Sequence, residues 1–353
     1  MSKKILVYTY FLCINLTFIL KITSGNTLPG IAMIILLPLL LIDYRKIPKC
    51  FVWLLCFYVL LLPINPYGAS NMIFYIVGSL ALYNIDFKTV LKANLMSQTI
   101  FFIIMVALNV VGIVTDKVVP KGSGFAHDYG FGNPNTLSIF LSYYLLTIYI
   151  LYVYTHKYAV FMLSICIGLA TLITQSRSLL VATGLIDLAL ICPKGIVKRI
   201  ITSKAVIVTL IAFIPFSVWF ILQANDLADM NDVTSGRIHY IMLMLDEFTP
   251  LNLITGLEPP EDAIIDNVYM LLVTYGGIVI LCYLLFRFYI IMTRRIYALK
   301  YLCVIGVAFV VGYVESYYIN PFISGTFLIW ALLLGNKTIM RNEHRSSLCD
   351  IRA

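Results

Sequence analysis

The chain has 353 residues, 61% of them hydrophobic and 12% charged, with a formal net charge of +8 at pH 7. So apolar a composition, with a mean hydropathy of +0.94, excludes both an ordinary soluble domain and a disordered chain, because neither keeps so few groups for water. The positive balance requires no nucleic acid, since the Lys and Arg fall between apolar spans, where anionic lipid is their partner.

Taken in chain order, the apolar runs predict twelve membrane helices, each near the roughly 20 residues a bilayer requires or shortened by anchoring aromatics and lysines. The first six run Ile5 to Leu20, Leu28 to Ile42, Phe51 to Leu62, Met72 to Tyr83, Ile100 to Val114 and Leu137 to Thr155. The second six run Tyr158 to Thr174, Leu179 to Ile191, Val206 to Leu222, Val268 to Met292, Tyr301 to Tyr317 and Phe322 to Leu334. Between the third and fourth, Pro63, Asn65, Pro66 and Gly68 crowd a connection that suits a re-entrant turn as well as two crossings. The expected fold class is all-α: one polytopic membrane domain over residues 1–353 with about 12 transmembrane helices.

Orientation follows from the retention of Lys and Arg on the cytoplasmic side. With both termini inside, 20 of the 25 Lys and Arg are cytoplasmic, and only Lys21, Lys117, Lys121, Arg177 and Arg237 face out. Lys3 and Lys4 before an apolar run resemble a secretory signal, but no small-residue cleavage site follows, so the run is taken as the first helix. All eight cysteines fall in spans or on the inner side, which points to no external disulfide framework, and no Cys/His spacing points to a metal. No cofactor is expected.

Two outer connections are long, 115–136 and 223–267. The first carries GSGFAHDYGFGNPN at Gly122 to Asn135; the second is rich in Asp and Glu. Loops of this length generally have a function, and an enzyme working at the outer face needs such a docking surface more than a transporter does. Within the second, Thr234 and Ser235 precede Ile238, Ile241, Met242, Leu245 and Phe248 on one face, with Pro250 beyond. That pattern is an amphipathic helix expected on the membrane surface.

Arg237 stands in the first turn of that helix, where a cation opposes the dipole but free N–H groups favour an anion. Either a phosphate or diphosphate bridges the helix start and the guanidinium, or Arg237 pairs with a nearby carboxylate such as Asp232. Arg177, in TQSRSLL at Thr174 to Leu180, sits at an outer junction between spans with no acid beside it in sequence. A guanidinium there needs a partner. Lipid phosphate reached by snorkelling is one; a phosphate of a lipid-linked substrate, flanked by Ser176 and Ser178 hydroxyls, is the other.

Four segments carry a family resemblance: GFGNPN at Gly130 to Asn135, TQSRS at Thr174 to Ser178, SGR at Ser235 to Arg237, and IDNVYMLLVTYGG at Ile265 to Gly277. In order and setting they resemble the motifs of Wzy-type polysaccharide polymerases, the capsule and O-antigen repeat-unit polymerases related to the O-antigen ligases. The resemblance implies a metal-independent membrane glycosyltransferase of the bacterial plasma membrane. Its substrate would be an undecaprenyl diphosphate-linked oligosaccharide on the outer leaflet, with membrane lipid, a chain-length regulator and a flippase as partners. Arg177 and Arg237 would hold the donor diphosphate.

Ligases of this superfamily place a His where Asp266 precedes Asn267. Asp266 is then either a base that takes a proton from the acceptor hydroxyl or a cap for the next helix. His239 and His127 are other candidates for that proton. Asn133 and Asn135 shape the start of a span or bind sugar hydroxyls, and Tyr129, Phe125 and Phe131 are sugar platforms or interface aromatics. Asp187 and Glu315 are read as buried and hydrogen-bonded, although intramembrane acids also mark proton relays. A ligase and a lipid-linked oligosaccharide flippase are the competing functions.

Overall fold

The computed structural model describes residues 2–25, 36–121, 124–224, 237–258, 267–313, 315, 319 and 323–339. Helix α1 (Lys3–Ser24) starts where the Ser2 hydroxyl accepts the Ile5 N–H and stops at Gly25 in the left-handed region. Helices α2 (Lys49–Leu61) and α3 (Pro66–Leu82) form a hairpin, with Asn65 capping α3 and Pro66 in its first turn. Helix α4 (Phe87–Val110) is capped by Asp86, which accepts from both the N–H and the hydroxyl of Thr89. The predicted span began at Ile100; this cap starts the helix thirteen residues earlier and draws Lys88 and Lys92 into it.

A short hairpin, β1 (Val118–Lys121) and β2 (Gly124–His127), pairs Val118 with His127 and Lys121 with Gly124. It is followed by α5 (Pro134–Tyr152), α6 (Lys157–Leu169) and the single turn α7 (Thr171–Thr174). Next come α8 (Arg177–Ile191), α9 (Lys194–Ile201) and α10 (Lys204–Ala224). The last elements are α11 (Arg237–Asp246), the turn α12 (Asn252–Thr255), α13 (Val268–Thr293), α14 (Leu299–Val311) and α15 (Ser324–Leu334).

All residues of α15 are buried, and it packs against α1, α3, α4, α5, α13 and α14. Trp330 stacks on Tyr75 with centroids 4.9 Å apart, and Phe327 meets Tyr10 and Phe74 edge-on. A helix end buried this deeply must have its last carbonyls satisfied. Tyr297 donates to Leu332 O, and Arg287 donates to Leu333 O and Leu334 O. Side-chain hydrogen bonds also join helices directly: Asn15 donates to Ser97 at 2.7 Å and Asn94 to Thr147 at 2.9 Å, tying α1 and α5 to α4.

Five helices are long and apolar enough to cross a membrane: Lys3–Ser24, Phe87–Val110, Pro134–Tyr152, Lys157–Thr174 and Val268–Thr293. A sixth follows if α9 and Lys204–Ser217, bent by 49°, make one broken span. Large apolar side chains such as Trp53, Leu60, Val110 and Leu172 stand on the outside, as they do where the solvent is lipid. The protein is a helical membrane protein. Several of the twelve predicted spans fall on shorter helices, α2 and α14 of 13 residues and α15 of 11. At about 1.5 Å per residue these reach only about 16–20 Å of a core some 30 Å thick.

Helix α13 breaks at Gly277 (φ 69°, ψ 178°). The carbonyls freed there all find donors. Leu257 N–H donates to Thr274 O at 2.6 Å, Asn65 Nδ2 to Tyr275 O at 3.4 Å and the Tyr58 hydroxyl to Gly276 O at 2.6 Å. Asn65 also donates to Thr255 O at 3.1 Å, so one side chain caps α3 and ties it to both α12 and α13. In the described part of the second long connection, α11 packs against α10 with Ile241 and Met244 buried and Leu245 and Phe248 partly buried against the core, the Thr274 hydroxyl of α13 meets Met244 Sδ, and α12 packs on α13 at the level of Gly277. Of the face expected on the membrane surface, Ile241 is buried and Met242, Leu245 and Phe248 are partly buried; Met244, outside that face, is fully buried, and the Ile238 side chain lies outside the described set.

Candidate functional site

The TQSRS segment is a capped turn between α7 and α8. Gln175 takes a left-handed conformation (φ 48°), which ends α7 and lets Ser176 become the cap of α8, its Oγ accepting the Leu179 N–H. Ser176 and Ser178 are buried, their hydroxyls 2.8 Å apart, while Arg177 between them is exposed. Ser178 donates to Glu315 Oε1 at 3.0 Å. Each hydroxyl has one proton, so the direction of the chain is fixed: Leu179 N–H to Ser176, Ser176 O–H to Ser178, Ser178 O–H to the carboxylate. Such a chain polarises along its length, and reverses if the carboxyl is protonated.

Glu315 is 3% exposed. It is held at the end of α14 by its N–H to Val311 O, three residues beyond Gly312. Gly312 O in turn accepts the Val268 N–H at 2.9 Å, and Asn267 Nδ2 donates to Tyr313 O at 3.1 Å. Asn267 Oδ1 caps α13 by accepting from Tyr269 and Met270. The capping role weighed for Asp266 therefore belongs to Asn267, whose side chain is the one that meets the free N–H groups of the first turn. Asp266 itself lies outside the described residues. The Tyr313 hydroxyl bonds to Leu210 O and brings α10 to the same end.

The first long connection joins this neighbourhood through β2, which packs against α7. The Asp116 carboxylate lies 2.6 Å from His127 Nδ1 and accepts the N–H groups of Asp128 and Tyr129. Asp128, fully buried, accepts from Lys117 and Gly130. These bonds make the Gly-rich stretch a defined turn. Gly130 (φ 87°) is needed twice over, by its backbone and by Val114, whose Cγ1 would lie 2.7 Å from a Cβ there. Partial burial works to raise the Asp116 pKa, but the hydrogen bonds from His127, Tyr129 and Asp128 and the His127 charge outweigh it and hold it below the ordinary 3.8.

A depressed carboxyl stabilises the ordered turn at all pH values above its unfolded pKa and loses that contribution as pH falls through the lower folded value. Trypsin cleavage after Lys117 and Lys121 is accordingly expected to stay constant from pH 7 to about pH 4, near the ordinary Asp value. In Asp116→Asn it is expected to be faster throughout that range, with digestion rates normalised to an unstructured peptide. Equal rates for the two proteins at pH 7 would contradict a structuring role for Asp116.

Asn133 caps α5 by accepting the Asn135 N–H at 2.8 Å. Tyr129 is exposed, in a left-handed conformation and stacked on His127; Phe125 is exposed; Phe131 is buried with Phe101 and Phe140. Asp187 is half-buried on α8, ten residues or roughly 15 Å along the helix from Arg177. Arg237 opens α11; its side chain and that of His239 lie outside the described set. Among the described residues no three His, Cys, Asp or Glu side chains gather into a metal-binding group.

Two of the four motif segments, TQSRS and the one that starts α13, thus meet at the end of α14, and β2, which leads into the third, packs against α7. The residue that sequence reasoning did not include is Glu315, which was read as buried and hydrogen-bonded but had nothing in sequence to link it to TQSRS 137 positions away. The arrangement combines an exposed guanidinium at a helix start with a buried hydroxyl chain ending on a carboxylate. It can receive an anion and move a proton.

Fold and site define a polytopic helical membrane protein with a polar, ionisable site at one end of its helices. No protein-family model, curated protein or solved structure matches the chain.

Proposed function

We propose that the chain is a polysaccharide polymerase of the outer face of the bacterial plasma membrane. It transfers a growing glycan from undecaprenyl diphosphate to a lipid-linked repeat unit. The observation that carries this reading is the bond from TQSRS to Glu315 with the Asn267 segment bonded to Tyr313 two residues before it, together with the resemblance of those two segments to the Wzy-type motifs; β2, which leads into the Gly-rich turn, packs against α7 beside them. Both termini lie in the cytoplasm in this reading.

In the proposed reaction the acceptor hydroxyl oxygen attacks the anomeric carbon of the donor glycan. The bond from that carbon to the diphosphate oxygen breaks, and its electron pair leaves with the diphosphate. Arg177, with Arg237 as a second cation, offsets the charge that develops there, which fixed cations do without reorganisation. The acceptor proton passes to a carboxylate. Glu315 receives it through Ser178 and Ser176, or Asp266 receives it directly; Asn267 positions the start of α13 beside them. The exposed Tyr129 and the amide of Asn135 contact sugar.

The test is the size distribution of lipid-linked glycan in the native host with and without the chain. A long ladder with it, and single repeat units on the outer leaflet without it, is the expected result. Units retained on the inner leaflet would make the chain a flippase, and ladders persisting on the carrier lipid would make it a ligase.

A further inference from the structure

Helix α9 stands at the end of α8 opposite Arg177, and its eight residues, KGIVKRII, divide into three faces. Val197 is buried, Ile201 one turn on is half-buried, and the helix packs against α14 and α10. Ile196 and Ile200, also one turn apart, are 51% and 54% exposed. Lys198 and Arg199 are exposed on the remaining side, and helical spacing sets the two exposed isoleucines between the packed face and Arg199. Both ends are fastened. Pro193 O accepts the Ile196 and Val197 N–H groups, Lys194 Nζ lies 4.7 Å from the centre of the Tyr154 ring, and buried Thr202 donates its hydroxyl to Lys198 O at 2.8 Å.

Ile196 and Ile200 continue an apolar surface on either side of them. Leu188 and Ile191 at the end of α8 and Val206 and Val208 at the start of α10 are exposed as well. The basic side chains set the depth. Three cations in eight residues are too costly for hydrocarbon, so α9 is not the first part of a span completed by Lys204–Ser217, and the 49° bend turns it away from that direction. The membrane interface accommodates both sets of side chains, with isoleucines at the acyl chains and cations at the phosphates. Charge then selects among lipids: from Leu188 to Gln223 the sequence holds Lys194, Lys198, Arg199 and Lys204 and no Asp or Glu. Asp187, just before this stretch, lies beside Ser164 of α6.

We propose that α9 is an in-plane anchor that binds anionic phospholipid in the leaflet at this end of the molecule, with Lys198 and Arg199 on headgroup phosphates and Ile196 and Ile200 among the first acyl carbons. The occupant is the charged lipid surface itself. A neutral leaflet leaves the cations unmatched, and a free phosphate leaves the isoleucines in water. The anchor sets the depth of α8 and α10, which it joins, and is independent of the polymerase reading.

The test uses the purified full chain in nanodiscs of phosphatidylcholine, with or without phosphatidylglycerol, and reads backbone hydrogen exchange over residues 194–202. Exchange there is expected to slow about fivefold or more when the anionic lipid is present, with α15 as the unchanged reference. Lys198→Gln combined with Arg199→Gln is expected to abolish the difference; both side chains are exposed, so thermal unfolding in detergent should match the wild type. In a second measurement, p-benzoylphenylalanine replacing Ile200 is expected to crosslink lipid, and replacing Val197 to crosslink the chain itself. Equal exchange in the two lipids, or crosslinking of Ile200 to protein rather than lipid, overturns the proposal. So does inorganic phosphate that slows exchange in phosphatidylcholine as much as phosphatidylglycerol does, which would make the site one for a free anion.

Discussion

Replacing Arg177 by alanine is expected to slow glycan transfer by about 10²–10³-fold, the usual cost of removing one preorganised group that stabilises transition-state charge. The fold should survive, because Arg177 is exposed and α8 is started by Ser176 rather than by the guanidinium. Arg177→Lys retains the charge but loses the planar fork, so its activity should lie between alanine and wild type. Ser178→Ala isolates the other half of the site. It cuts the connection to Glu315, and if Glu315 takes the proton, the acidic limb of the pH–rate profile should move while affinity for the donor stays unchanged. An Arg177→Ala protein that is folded and fully active would remove Arg177 from the site.

The second large effect is structural. Gly277→Ala places a Cβ on a backbone with φ 69° and ψ 178°, a region essentially closed to other residues, and drives it into Ile254 O. Backbone strain of about 1–3 kcal/mol and overpacking of similar size sum to about 2–6 kcal/mol. That is a large share of the 5–15 kcal/mol typical of a folded protein. Gly112→Ala is the control: its φ is 75°, but nothing lies within 4 Å of the new Cβ, so only the left-handed penalty of about 1–2 kcal/mol applies. Thermal unfolding in a fixed detergent should show a loss for Gly277→Ala several times that for Gly112→Ala. Equal losses would mean that α12 is not wedged into the break.

The helical, membrane-bound character was legible because lipid leaves few ways to satisfy a backbone, and apolar runs between basic gaps record that constraint directly. The number of crossings was less legible. An apolar run states only that a helix avoids water; α15 does so by being buried on every side. Caps could be anticipated as a type of feature but misplaced by one residue, as with Asp266 and Asn267, because both side chains suit the role and only geometry chooses. The break at Gly277 lay inside a motif that otherwise reads as unbroken helix. Its freed carbonyls are met by donors distant in sequence, Tyr58 and Asn65 among them, the latter 210 positions away from the Tyr275 carbonyl that it reaches.

The site was half legible for the same reason. Arg177 announced itself as a cation without a local acid, and its flanking serines as donors. Glu315, which the serine chain reaches, is brought there only by the packing of α14 against α8.

The most direct test of the central claim is reconstitution of the purified chain alone in liposomes with one chemically defined undecaprenyl diphosphate-linked repeat unit, followed by gel separation of the lipid-linked products. The polymerase reading predicts a ladder of lengthening glycans on the carrier lipid with release of undecaprenyl diphosphate, and no ladder with Arg177→Ala. Intact single units after prolonged incubation with folded wild-type protein would contradict it.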